Sequence, residues 1–224
     1  ITGSLENITL VFDQGNNSKR MLKDVSDNIH FVGALSPHQH KALVKEANSL
    51  MKEVSIKSRS VQCCELQKTI WDLDLKVVVY ISEPLRKGQL RGIEQQISKL
   101  FTRLEQLRAQ IAIPTKRGKK RTQSDLEKKI SSMINSSVLK DIVLWELRPL
   151  EKDSFDLRFW VNKDELNSLT EEWLGRRILI TNRHTWNAEQ IISAYWGQSN
   201  VENAFKNMKN PFHLAMRPQY HWTD

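Results

Sequence analysis

The sequence predicts an α/β protein in which a strand–helix–strand core is interrupted by a long insertion and completed by a helix near the C-terminal end. Three observations predict it. An apolar, β-favouring run, Ile8 to Phe12, ends on Asp13 and is followed by turn residues Gly15, Asn16 and Asn17. A heptad seam then runs through Leu90, Ile93, Ile97, Leu100, Leu104, Leu107 and Ile111. Finally, the segment Tyr195–Lys209, YWGQSNVENAFKNMK, has helical periodicity with its polar residues on one side.

In chain order, Ser18 caps a predicted helix to about Val25, and a second strand covers His30–Leu35. Ser36-Pro37 starts a helix that runs to about Met51. Glu65–Trp71 and Lys76–Ser82 read as strands of a hairpin turning at Asp72-Leu73-Asp74. The seam helix follows Glu83-Pro84, and a shorter helix carries Leu126, Ile130, Met133 and Val138. These two are expected to pair as an antiparallel hairpin. A dimer zipper is the alternative, disfavoured because the partner helix is next in sequence. Strands resume at Ile142–Leu147, Phe155–Val161 and Arg177–Thr181. Asn187, with Gln190 three residues on, caps the last helix. The expected organisation is a core in residues 1–36 and 187–224. An insertion spans 37–186, with its helical hairpin at about 84–139. Of the seven tryptophans, Trp145, Trp160 and Trp173 fall on strands or element ends and are expected in the core.

Composition narrows the partners. Lys and Arg number 34 against 26 Asp and Glu, a net charge of +8, which favours a polyanion, nucleic acid before membrane. A merely basic protein is the plain alternative. No apolar run approaches the ~18 residues that a membrane span needs, and no signal peptide is visible. The only cysteines, Cys63 and Cys64, are adjacent, which provides no disulfide framework and suits a reducing cytoplasm. Lys116-Arg117-Gly118-Lys119-Lys120-Arg121 places five cations at the expected hairpin tip, suited to phosphate contact. A solvated loop is the alternative.

The chemistry-bearing residues lie at the two ends. Asp13 stands where a buried strand ends, a common position for a metal ligand. Tyr195, Gln198, Glu202 and Lys209 project within an arc of roughly 60° on one helix. One carboxylate is thereby flanked by a phenol, an amide and an ammonium, as in a metal ligand with phosphate donors beside it. A solvated helix face would look the same.

Together these motifs resemble the DDE transposases of bacterial insertion sequences, in the group with the Tyr-x2-Arg-x3-Glu-x6-Lys signature. Tyr195, Glu202 and Lys209 match its spacing, with Gln198 where the Arg belongs. FDQGNNSKRML resembles the second-aspartate motif, and NPFHLAMRPQYHWTD resembles the segment after the glutamate helix in the same group. The resemblance implies a ribonuclease-H-like catalytic core and metal-dependent cleavage and strand transfer at insertion-element ends, that is, DNA transposition and recombination. It implies two Mg²⁺ or Mn²⁺ ions held by Asp13 and Glu202. Such ions neutralise the attacking and leaving oxygens and take oxygen ligands. Tyr195 and Lys209 would hold the phosphate near the cut, and the Gln198 departure bears on the contact usually given to the Arg. An aromatic would hold a flipped base, with no particular tryptophan singled out. Double-stranded DNA is the implied partner, with a homodimer in the DNA complex left open, and the implied location is cytoplasmic and DNA-associated. No acidic residue on an earlier strand precedes Asp13, so the chain is expected to be an internal segment, with the first catalytic aspartate upstream. Two alternatives stand beside this reading: a catalytically inactive DNA-binding remnant, and a ribonuclease-H-like nuclease.

Overall fold

The computed structural model describes residues 8–14, 22–23, 29–115 and 120–208, the last ten of these as helix backbone alone. The predicted helix from Ser18 therefore lies almost entirely outside the described residues. Among the described residues there are eight strands and six helices, divided between two compact units, with Glu83–Gly175 forming the second.

The first unit is built on one six-stranded sheet. Its strands are β1 (Thr9–Phe12), β2 (His30–Leu35), β3 (Lys52–Ile56), β4 (Arg59–Ile70), β5 (Leu73–Ile81) and β8 (Arg176–Thr181), in the order β1-β2-β8-β5-β4-β3. β1 and β2 are parallel, in the register Phe12↔Gly33, and every other neighbouring pair is antiparallel. The unit is thus mixed α/β, as expected. Strands β3, β4, β5 and β8 all arise from the segment predicted as insertion, yet they continue the sheet that β1 and β2 begin. The structure divides the chain at 83 and 175, not at 37 and 186.

The central strands are apolar on both faces because both faces are covered. β2, HFVGAL, is buried from Phe31 to Leu35, and Ile178, Leu179 and Ile180 of β8 are fully buried. On one face, the last helix, α6 (Ala188–Met208), packs Ala188, Ile191 and Ile192 against Val32, Ala34, Val78, Tyr80 and Leu179. On β4 sits α1 (Lys41–Asn48), which buries Val44 and Ala47; it is shorter than predicted because residues 37–40 form turns. Strand β3 was not predicted. It is joined to β4 by Lys57-Ser58, both at positive φ, 46° and 63°. The β4–β5 hairpin turns at Trp71-Asp72, one residue earlier than expected, also at positive φ. Such primed two-residue turns match the strand twist.

In the second unit the seam behaves as its spacing demands. Helix α2 (Glu83–Ile111) buries Ile93, Ile97, Leu100, Leu104, Leu107 and Ile111. Helix α3 (Gln123–Met133) contributes Leu126 and Ile130 to the same cluster. The cluster also takes in Leu147 of β6 (Val143–Pro149) and Phe155 and Leu157 of β7 (Phe155–Val161), so a two-stranded sheet helps close the seam. α3 stops at Met133, and Val138 is exposed ahead of the short α4 (Leu139–Ile142). Helix α5 (Lys163–Glu172), with Asn162 accepting a hydrogen bond from Glu165 N, was not predicted. Trp160 corrects another expectation. Phe155, Leu157, Phe159 and Val161 occupy the inward face of β7, so strand alternation turns Trp160 outward, 46% exposed. Trp145 packs on the cluster, and Trp173 is half-buried.

Candidate active site at the end of strand β1

Asp13 follows directly on β1. Val11 faces α6, and side-chain alternation returns Asp13 to that face. The Gln14 backbone N–H donates to Asp13 Oδ1 at 2.8 Å, and the Gln14 amide donates to Leu35 O at 3.1 Å, tying the turn to the end of β2.

Helix α6 is fixed over this point by its N-terminus. Asn187 and Gln190 exchange hydrogen bonds, Gln190 N to Asn187 Oδ1 at 2.9 Å and Asn187 N to Gln190 Oε1 at 3.0 Å, which is the predicted capping box. Glu65 adds a carboxylate where the helix dipole favours one, accepting from Ala188 N at 2.8 Å. Its other oxygen pairs with Lys76 Nζ at 2.7 Å, and Lys76 also donates to Trp186 O.

Two turns into the helix, Tyr195 reaches the sheet. Its hydroxyl donates to Asp13 Oδ1 at 3.0 Å and accepts from Arg177 Nη1 at 3.1 Å, with the guanidinium 5.7 Å from the ring centre. The two ends of the chain, 182 positions apart, thus meet through one hydroxyl. Burial pushes the Tyr195 phenol up to about 12; Arg177 opposes this, while the charge and hydrogen bond of Asp13, and Tyr80, add to it. At neutral pH the group is therefore a neutral donor to the Asp13 carboxylate. Behind it, Trp196 Nε1 donates to Tyr80 Oη at 3.3 Å, so Trp196 is turned into the core and away from the polar stripe.

The other predicted residues are more scattered. Gln198 lies one turn beyond Tyr195 on α6 and is half-buried. Glu202 is on the same helix, with its side chain outside the described residues. Lys209, Lys116, Arg117 and Lys119 lie outside the described residues altogether. Lys120 is exposed in the second unit, where Arg121 donates to Ile113 O at 2.8 Å. Sequence reasoning missed Arg177. Its signal was parity: it shares a sheet face with Leu179, an odd position for a cation in an apolar strand.

Among the described residues, no group of three or more His, Cys, Asp or Glu could hold a metal ion. Asp13 supplies the oxygen donors that a hard cation takes, though one carboxylate is not a complete ligand set. Asp13 is exposed, two donors orient Oδ1, and Oδ2 accepts from no described residue. Burial pushes the Cys63 thiol up to about 11, with Glu65 and Cys64 adding to it, so it is a neutral thiol at neutral pH. Among the described residues no helix is long and apolar enough to cross a membrane. Comparison with protein-family models, curated proteins and solved structures found no match.

Proposed function

We propose that the chain carries the catalytic site of a DDE-type DNA transposase, which cleaves insertion-element ends and transfers the freed strand. The observation that supports this reading is the Tyr195–Asp13 hydrogen bond, which joins the aspartate motif to the Tyr…Glu…Lys helix. Glu202 lies two turns beyond Tyr195, roughly 10 Å along the helix axis, on the helix that covers the Asp13 strand. The parallel β1–β2 pair beneath α6 is also what the later part of a ribonuclease-H-like core requires.

Under this reading Asp13 and Glu202 hold the divalent cations. When bound, Mg²⁺ or Mn²⁺ neutralises charge on the attacking and leaving oxygens of the phosphodiester. Tyr195 keeps its proton and orients Asp13. Gln198 and Lys209, which share a stripe by their sequence spacing, contact phosphate. The basic segment at 116–121 also binds DNA, and the partner is double-stranded DNA.

The test is cleavage of element-end DNA by the full-length protein with Mg²⁺ or Mn²⁺. Glu202→Gln abolishes cleavage and leaves DNA binding nearly intact. Cleavage by the Glu202→Gln protein at the wild-type rate refutes the assignment. The Gln198 substitution favours a second reading, a DNA-binding remnant without activity; binding without any metal-dependent cleavage by the wild-type protein identifies it.

A further inference from the structure

The geometry points to Arg177 as a phosphate-binding residue of this site, holding a DNA strand beside Asp13. The inference rests on the transposase reading and adds to it a residue from β8, outside both motifs that carry that reading.

Arg177 is half-buried at the start of β8, opposite Tyr80 in the sheet register. Its side chain makes one hydrogen bond among the described residues, from Nη1 to the Tyr195 hydroxyl. A guanidinium has five N–H donors, so most of its capacity is left unused by the described residues. It also forms no ion pair among the described residues. Asp13 is reached only through the shared hydroxyl. Other arginines of the chain are engaged differently. Arg86 pairs with Glu83 and Glu171, Arg148 with Glu146 and Arg158 with Asp156, while Arg176 donates to Asn48 and Arg183 to Thr9. A cation withdrawn from water without a counter-charge is unfavourable unless an anion completes it.

Phosphate suits a charge that no described residue pairs with directly. A planar fork binds two phosphate oxygens side by side, which a lysine or an amide does not. The position is right as well, since the same hydroxyl that bonds Arg177 bonds the exposed carboxylate at the strand end. The residue one turn along α6, Gln198, carries no charge, so β8 provides the described guanidinium next to Tyr195.

The experiment measures binding of a fluorescein-labelled DNA duplex across a salt series, with wild type, R177K, R177Q and Y195F, and cleavage of element ends by the same four proteins. Each lost phosphate contact reduces the salt slope by about 0.9. R177Q therefore loses about one unit of slope and cleaves more slowly, R177K keeps the slope but recovers only part of the cleavage rate, and Y195F keeps the slope. A folding defect in R177Q leaves R177K and Y195F to decide. A wild-type slope in R177Q, or R177K cleaving at the wild-type rate, overturns the role of Arg177 while the transposase reading stands. Matching cleavage losses in R177Q and Y195F with no slope change show that Arg177 only positions Tyr195, and overturn it too. Absence of both DNA binding and cleavage in the wild type overturns the reading itself, and this inference with it.

Discussion

The bond between Tyr195 and Asp13 should be measurable as a coupling free energy. Tyr195→Phe deletes one hydroxyl and with it two hydrogen bonds, to Asp13 at 3.0 Å and from Arg177 at 3.1 Å. A protein hydrogen bond contributes about 0.5–1.5 kcal/mol, and up to about 3 with a charged partner. Asp13 is exposed, so water screens its charge, and the lower part of the range applies to that bond. Arg177 is half-buried and loses its described side-chain partner. The sum predicts a loss of about 2 kcal/mol for Tyr195→Phe. Asp13→Ala should cost about 1 kcal/mol, from the Tyr195 bond and the Gln14 N–H bond together. Because both variants remove the same interaction, the double variant should show a coupling of about 0.5 kcal/mol, the share of that one bond. Urea unfolding of the four proteins provides the cycle, and m should stay constant, since the exposed area hardly changes. A coupling below about 0.3 kcal/mol would mean that the two residues are independent. The chain ends would then not be joined as described, and the candidate site would lose its foundation.

Three further outcomes are expected from the same geometry. The Tyr195 phenol, ordinarily at 10.0, is pushed to about 12, so its contribution to stability is complete below pH 10 and lost as pH rises through 12. Asp13→Asn removes one raising charge and should shift its ionisation downward, as followed by NMR of ring-labelled tyrosine; no shift would place Asp13 elsewhere. Leu104→Ala, at a fully buried seam position, should cost about 2–5 kcal/mol in chemical unfolding, whereas the outward-facing Trp160→Ala should cost under about 1 kcal/mol; reversed magnitudes would contradict the described faces of the second unit. Replacing Lys57-Ser58 by Asn-Gly should stabilise the chain by about 1 kcal/mol, because both positions are exposed at positive φ; a loss would show a different turn.

The sequence by itself determined the elements whose signals are local. The seven-residue seam fixed which side of α2 is buried, because helical periodicity needs no partner to be read. The capping box at Asn187 and Gln190 fixed where α6 begins, since both halves of the bond lie within one turn. The β-favouring run at Ile8–Phe12, and the acid at its end, were equally legible. Tertiary structure alone decided how these parts combine. Strand β8 pairs between β2 and β5, which draws the predicted insertion into the core sheet, and no local pattern records such a choice of neighbours. The outward turn of Trp160 depended on which face of β7 the seam covers. Arg177 is the clearest case. Its charge can be read at its position in the sequence, but its significance lies in a hydroxyl 18 positions away and, through that hydroxyl, in Asp13 at the other end of the chain. Side-chain chemistry is written residue by residue, whereas a site is made by long-range packing, which brings together residues whose sequence separation carries no periodic signal.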